Sequence, residues 1–335
     1  MPEDTMATHA HTGEEHFDDR HDSRGRHARS PTEIPKRGWL DIAMRVKNEV
    51  TKDNVSIIAA GLALYALLAV FPALGAAVSI YGLFASPEQI AQHMNSFSGV
   101  LPAEATQILQ KQLQSLSGQE QALSVGLVLG VLIALWSARK GMVALMAATN
   151  IAYDEDEERG FFKQILVSLV FTIGAVVGFL AVLLLTIAIP LALEMLPLGR
   201  AAEVVILVAR WVLLWGLAVL GMAVVYRFAP DRNEPQWKWL TWGSGIAATL
   251  WLIGSLLFAL YARNTASYGE TYGALGGVVV LLMWFFLTGY CIVLGAEINS
   301  EMERQTKEDT TQGPAKPMGQ RDAYAADTVG ESWKK

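Results

Sequence analysis

Charge is scarce in this chain. Asp, Glu, Lys and Arg supply only 17% of its 335 residues, against the ~25% usual in soluble domains, and most of that charge sits in the two tails and a few short connections. There is a single cysteine, Cys291, which excludes a disulfide framework or a cysteine metal site within one chain. Five of the six histidines fall in the first 35 residues, with no fixed ligand spacing. The motifs H-E-x-x-H and G-x-x-x-x-G-K-[ST] are missing, and outside that tail no His, Cys and carboxylates cluster. The residues therefore offer no catalytic or cofactor-binding site and no metal site outside the tail, whose histidines read as solvated with metal binding as the alternative, and the chain reads as no enzyme. A net charge of −6 without a basic, aromatic-interleaved stripe gives no reason to expect nucleic acid as a partner. The first 50 residues hold no apolar run with a small-residue cleavage site, so the first span is expected to act as its own insertion signal.

What the chain has is long apolar runs. Tyr272 to Arg304, YGALGGVVVLLMWFFLTGYCIVLGAEINSEMER, belongs to a stretch with 26 uncharged residues between Glu270 and Glu297, and crossing a bilayer takes ~20. Six such windows predict an all-α helical bundle with six transmembrane helices, at 56–84, 123–141, 164–192, 210–226, 240–261 and 273–296. Lys and Arg alternate between connections. Lys36, Arg37, Arg45, Lys47 and Lys52 precede span one, and Lys111 alone follows it. Arg159 and Lys163 follow span two, Arg200 span three, Arg227, Arg232 and Lys238 span four, and Arg263 span five. Basic connections stay inside, so both termini are expected in the cytoplasm, as an even number of spans requires.

Residues 1–35 and 305–335 are too polar to build a core and predict disordered tails, flanking a membrane domain at 36–304. WLDIAMRVKNEV, with Leu40, Ile42, Ala43, Val46 and Val50 on one face, predicts a short helix on the cytoplasmic membrane surface. The connection 86–121 opens on SPEQ, a capping-box start, and predicts an external helical hairpin carrying the lone His93. It reads as a rim element of the bundle or as a partner-binding lid.

Ionisable groups at membrane depth are costly and mark functional candidates. Arg139 and Lys140 are residues 17 and 18 of a span starting at Leu123, about 25 Å along and near the inner interface beside Trp136. A span running on through Met146 would instead put them at mid-bilayer. Arg210 is an outer anchor if its helix starts there, and an interior cation in need of a partner if the helix starts at Glu203. Glu297 and Asn299 close the last span. A carboxylate there opposes the helix dipole, which predicts either a pairing with Arg139 or Lys140 or a solvated helix end. Pro72 removes a hydrogen bond inside span one and predicts a kink, a device that broken transporter helices use around substrate. Gly126/Gly130 and Gly174/Gly178 have the G-x-x-x-G spacing that permits close helix contact.

Four segments in order, AAGLALYALLAVFPAL, LWSARKGMVALMAATNIAYDEDEERGFFKQ, YRFAPDRNEPQWKWLTWGS and SYGETYGALGGVVVLLMWFFLTGYCIVLGAEIN, resemble the YihY/virulence factor BrkB family of bacterial inner-membrane proteins. The resemblance covers roughly residues 38–304. Asn150, Tyr153 and Arg159 match polar positions of its second motif, although DEDEE between them is richer in acid than the family pattern. The resemblance implies six spans, a plasma-membrane location, and links to serum resistance and envelope lipid or lipopolysaccharide traffic. An older ribonuclease label gets no support here, since phosphodiester hydrolysis needs metal ligands or an acid–base pair in a shared cleft. The expected function is a carrier or flippase-like protein for an envelope lipid or amphipathic anion, with the bilayer as its constant partner. The alternative is a non-catalytic scaffold or envelope-integrity factor. Nothing in the sequence sets the oligomeric state.

Overall fold

A computed structural model describes residues 23–81, 123–195, 199–264 and 274–333. The hairpin 86–121 and residues 1–22 of the histidine-rich tail lie outside the described residues. The fold is all-helical, a multi-span membrane bundle. A 17-residue helix α1 (Lys36–Lys52) leads into α2 (Val55–Tyr81), followed by α3 (Leu123–Ala152), α4 (Phe161–Met195), α5 (Arg200–Phe228), α6 (Trp237–Asn264), α7 (Ala274–Glu303) and a last turn, α8 (Tyr324–Asp327). By length and composition α4, α5, α6 and α7 can each cross a membrane, and the bent pair α1–α2 makes a fifth candidate.

Successive helices pack in a ring, α2 on α3, α3 on α4, α4 on α5, α5 on α6 and α6 on α7, and α7 closes it on α2. Helix α7 also touches α1 and α3, which makes it the hub. Three glycines let neighbours approach it. A methyl on Gly295 would meet Tyr226 Oη and the Ala247 side chain, one on Gly243 would meet Asn299, and one on Gly289 would meet Leu62 and the Ala59 carbonyl. Among the described residues the Gly174/Gly178 pair mediates no contact, because none lies within 4 Å of either added methyl. Small-residue spacing alone does not say which face meets a neighbour.

Two helix ends are set by local chemistry. At the end of α3 the Asp154 and Glu155 amides return to the carbonyls of Ile151 (3.0 Å) and Asn150 (2.9 Å), and Asp154 has φ +52°. This is the double-bonded helix stop that usually uses glycine, with aspartate tolerated in the left-handed region. Between α1 and α2, Asn54 has φ +53° and the chain turns by 63°. Pro72, by contrast, lies inside α2, which is a single helix from Val55 to Tyr81.

Packing is concentrated at one end. Among the described residues, every buried hydrophobic side chain on α2 to α7, from Val55, Ala59 and Ala63 to Cys291, Val293 and Ala296, lies within about 18 Å of the end where α1 meets α7. Toward the other end the described side chains open outward, as Leu180, Val205, Leu257 and Val279 do. This suits a surface that faces lipid rather than water.

Of the segments expected to be disordered tails, residues 23–35 and 305–333 are described, and both are packed. They cap the packed end. Arg321, 4% exposed, donates to the carbonyls of Ala326 (2.6 Å), Lys307 (2.8 Å), Lys316 (3.1 Å) and Glu308 (3.2 Å). The Arg26 guanidinium reaches the Gly330 carbonyl (2.8 Å), and the Gln236 amide bonds the Thr310 carbonyl (2.8 Å). Helix α1 packs into the same cap. Ile42 and Val46 pack with Ala28, Ile34, Trp239 and Met302, while Leu40 and Ala43 face outward.

Candidate functional site

The last three turns of α7, GAEINSEMER, bring Glu297, Asn299, Ser300, Glu301 and Glu303 into the packed end, all buried. So much polarity cannot be left dry without partners, and the partners come from four other segments. Glu303 forms an ion pair with Arg232 at 2.7 Å in which both side chains are fully buried, and it accepts from Thr310 Oγ1 at 2.7 Å. The Arg232 guanidinium lies 4.9 Å over the Tyr153 ring, a desolvated cation–π contact. Glu155 lies 4.0 Å from Arg232 and accepts the Tyr324 amide at 2.8 Å. Burial outweighs these contacts and pushes its carboxyl up to about 7.

Asn150 and Arg159 bind the α3–α4 loop to the α5–α6 loop. Asn150 Oδ1 accepts the Asp231 amide (2.8 Å) and Nδ2 donates to Glu157 (3.1 Å). Arg159 grips Glu157 with two bonds of 2.6 and 2.7 Å and donates to the Ala229 carbonyl at 2.8 Å. Beside them Arg227 pairs with Glu234 (2.7 Å), donates to the Pro235 carbonyl and Gln312, and stacks 4.7 Å from the Trp237 ring. Asn299 Oδ1 accepts the Gly243 amide at 3.0 Å. Five buried polar atoms here are left without a hydrogen bond, Glu297 Oε1, Asn299 Nδ2, Tyr153 Oη, Arg227 Nε and Arg304 Nε.

The structure thus gathers Asn150, Tyr153, Arg159, Glu297 and Asn299 at one end of the bundle. It leaves Arg139, Lys140, Arg210 and Pro72 outside that cluster. Arg139 and Lys140 do not mark the end of a helix, because α3 continues unbroken to Ala152. Arg139 donates to Ser168 on α4 at 3.3 Å and lies 4.7 Å from the Trp136 ring, while Lys140 is exposed. No ion pair joins either to Glu297. Their charge lies about 16 Å along the helix from Asn150, whereas the groups around Glu297 are Asp53, Glu49 and Glu301. Arg210 is interior to its helix, ten residues after the start of α5 at Arg200. Half-buried, it lies 5.7 Å from the Trp211 ring, and its Nε is buried without a hydrogen bond.

Sequence reasoning missed Arg232, Glu303 and Arg227. Arg232 was legible only as an inside-loop charge, although it stands within the quoted segment YRFAPDRNEP. Among the described residues no group of three or more His, Cys, Asp or Glu is arranged to hold a metal.

Known proteins place this arrangement. A family model described as Virulence factor BrkB matches residues 46–319. A ribonuclease-like protein of Bacillus subtilis, YfkH, is 35% identical over 53% of this chain and 66% of its own length. A UPF0761 membrane protein of Pseudoalteromonas translucida is 25% identical over 82% of this chain and 88% of its own, and one of Legionella pneumophila is 26% identical over 74% and 58%. No solved structure matches. With its apolar helices and a match that runs from α1 through α7 and its polar end, the chain belongs to the virulence factor BrkB family of multi-pass bacterial inner-membrane proteins.

Proposed function

We propose that the protein is a carrier, flippase-like in action, for an envelope lipid or another amphipathic anion, with six spans and both termini in the cytoplasm. The observation that carries this reading is Arg210, a half-buried cation inside a span with no ion pair to neutralise it among the described residues. A guanidinium at that depth is costly without an anion, and a lipid phosphate or organic anion supplies one. An apolar groove of about 600 Å³ between α2, α6 and α7, lined by Ala63, Leu257, Phe258, Leu282 and Phe286 among others, runs at the depth of Arg210. Gly254 in that groove and Arg210 are each about 26 Å from the packed end by helical rise. Cation and groove suit the two ends of an amphiphile.

Orientation rests on charge. Lys36, Arg37, Arg45, Lys47, Lys52, Arg159, Lys163, Arg227, Arg232 and Lys238 belong to connections at the packed end, which the positive-inside bias assigns to the cytoplasm. A reporter active only in the cytoplasm should be active when fused after Arg304 and silent near Gln114. The reverse pattern would invert the topology.

Purified protein in proteoliposomes should translocate a labelled anionic lipid or organic anion. Arg210→Gln should lower that rate about tenfold or more, given the ~1.5–3 kcal/mol that hydrogen bonds to charged groups carry, without lowering thermal stability. If the wild type moves neither class, and the 86–121 hairpin captures a stoichiometric partner, the chain is a scaffold instead.

A further inference from the structure

The start of α6 sets unneutralised charge beside an apolar groove. Lys238 and Trp242 lie four residues apart, and Gly245 and Thr249 follow at helical spacing, so one stripe runs from an ammonium down into the span. Lys238 and Trp242 are both exposed. The Trp242 ring meets that of Trp39 on α1 at 5.7 Å between centroids. Lys36, also exposed, precedes Trp39 by about one helical turn. Two lysines therefore flank a tryptophan pair that bridges α1 and α6.

Among the described residues neither lysine has an acid partner. The acids nearest in sequence are engaged elsewhere. Glu234 pairs with Arg227 at 2.7 Å, Asp41 with Arg24 at 2.6 Å, and Glu33 accepts the Arg29 amide at 2.7 Å.

Lysine and tryptophan at the end of a span are ordinary interfacial anchors. The groove is what makes this end specific. It holds about 380 Å³ between α5 and α6, lined by Trp215, Trp242, Gly245, Thr249 and Leu250 among others. By helical rise it runs from about 6 to 20 Å along α6, roughly the depth of one leaflet of a ~30 Å hydrocarbon core. Gly245 keeps it open, because an added methyl there would meet nothing within 4 Å. Its polar groups are spent on one another. Trp215 Nε1 donates to Thr249 Oγ1 at 3.2 Å, Thr249 Oγ1 to the Gly245 carbonyl at 2.7 Å, and Thr241 Oγ1 to the Lys238 carbonyl at 3.0 Å. The walls thus suit a hydrocarbon chain, while the lysines at the mouth call for an anion.

We propose that this end of α6 is a binding site for one anionic phospholipid, its phosphate held by Lys238 and Lys36 and one acyl chain laid in the groove between Trp215 and Trp242. The lipid belongs to the leaflet at the packed end, and it ties α1 to α6 as the tryptophan pair does. It is held rather than moved. The site lies nearer the packed end than Arg210 and the α2–α6–α7 groove, and it does not rest on the carrier reading.

Native mass spectrometry of the full-length protein, delipidated in a neutral detergent, tests the site with phosphatidylglycerol and phosphatidylcholine of identical chains. One phosphatidylglycerol should be retained about tenfold or more over phosphatidylcholine, since each lysine near an anionic surface counts for about fivefold. Phosphatidylglycerol should also raise the unfolding temperature, as a ligand of the folded state must, and phosphatidylcholine should raise it less. Changing Lys36→Gln and Lys238→Gln together should bring the two lipids level. Gly245→Leu fills the groove with its own side chain and should weaken phosphatidylglycerol retention severalfold, with the lysines intact and the unfolding temperature of the lipid-free protein not lowered. Trp242→Ala, at an exposed position, removes one wall and should weaken it likewise if Gly245→Leu does not fold. Equal retention of the two lipids by the wild type, a preference that survives loss of both lysines, or retention untouched by the groove variants overturns the site. Displacement of the lipid by millimolar inorganic phosphate overturns it too, because the lysines would then bind a free anion without the groove.

Discussion

Arg232→Met should lower stability in detergent by about 3–5 kcal/mol, the cost of breaking a buried ion pair by removing one partner. Arg232 and Glu303 are both fully buried at 2.7 Å, and the guanidinium also lies over Tyr153 and near Glu155. Removing it leaves Glu303 charged in a dry site, with Thr310 Oγ1 as its remaining donor. The check is a double-mutant cycle read by thermal unfolding. Glu303→Gln alone should also destabilise, and the double variant should lose clearly less than the sum of the singles. Additive losses would mean that the pair contributes as two independent side chains. Because Glu303 holds Thr310 of the C-terminal cap, protease sensitivity within 305–333 should rise in either single variant.

The second large effect concerns Gly295. Its added methyl would run into Tyr226 Oη and Ala247, at a point where Tyr226 donates to the Ile292 carbonyl at 2.8 Å. Gly295→Ala should therefore cost about 1–3 kcal/mol through overpacking, despite the ~1 kcal/mol by which alanine improves helix propensity over glycine. Gly174→Ala, whose methyl meets nothing within 4 Å, should be neutral or stabilising by thermal unfolding in the same detergent. Equal responses from the two sites would contradict the α6–α7 contact.

The apolar windows were legible because lipid imposes hydropathy residue by residue. Helix ends were less so: the apolar window closes at Arg139 and Lys140, and the helix that runs on past them ends only at Ala152. The stop came from Asp154, where nothing in composition announces a left-handed turn. The terminal segments were misread for a related reason. Polar composition says that a segment cannot build its own core, but residues 305–333 use a ready-made one, anchored by Arg321 on backbone carbonyls and by threonines on α7. At the polar site, the resemblance picked out Asn150, Tyr153 and Arg159, and the anomaly of an acid at a helix C-terminus picked out Glu297.

Closure of the helix ring by α7 also sets the order in which the protein can be made. The hub leaves the ribosome after α2, α3 and α6, so those helices must wait in the bilayer with the faces that will contact α7 still against lipid. Arg232 emerges 71 residues before Glu303, and Arg26 304 residues before Gly330. Until α7 inserts, the chain is an unclosed set of helices carrying an unneutralised arginine at its packed end. Ring closure therefore waits for α7, and a ribosome that stalls before Ala274 yields a product with its inner seam open to membrane quality control.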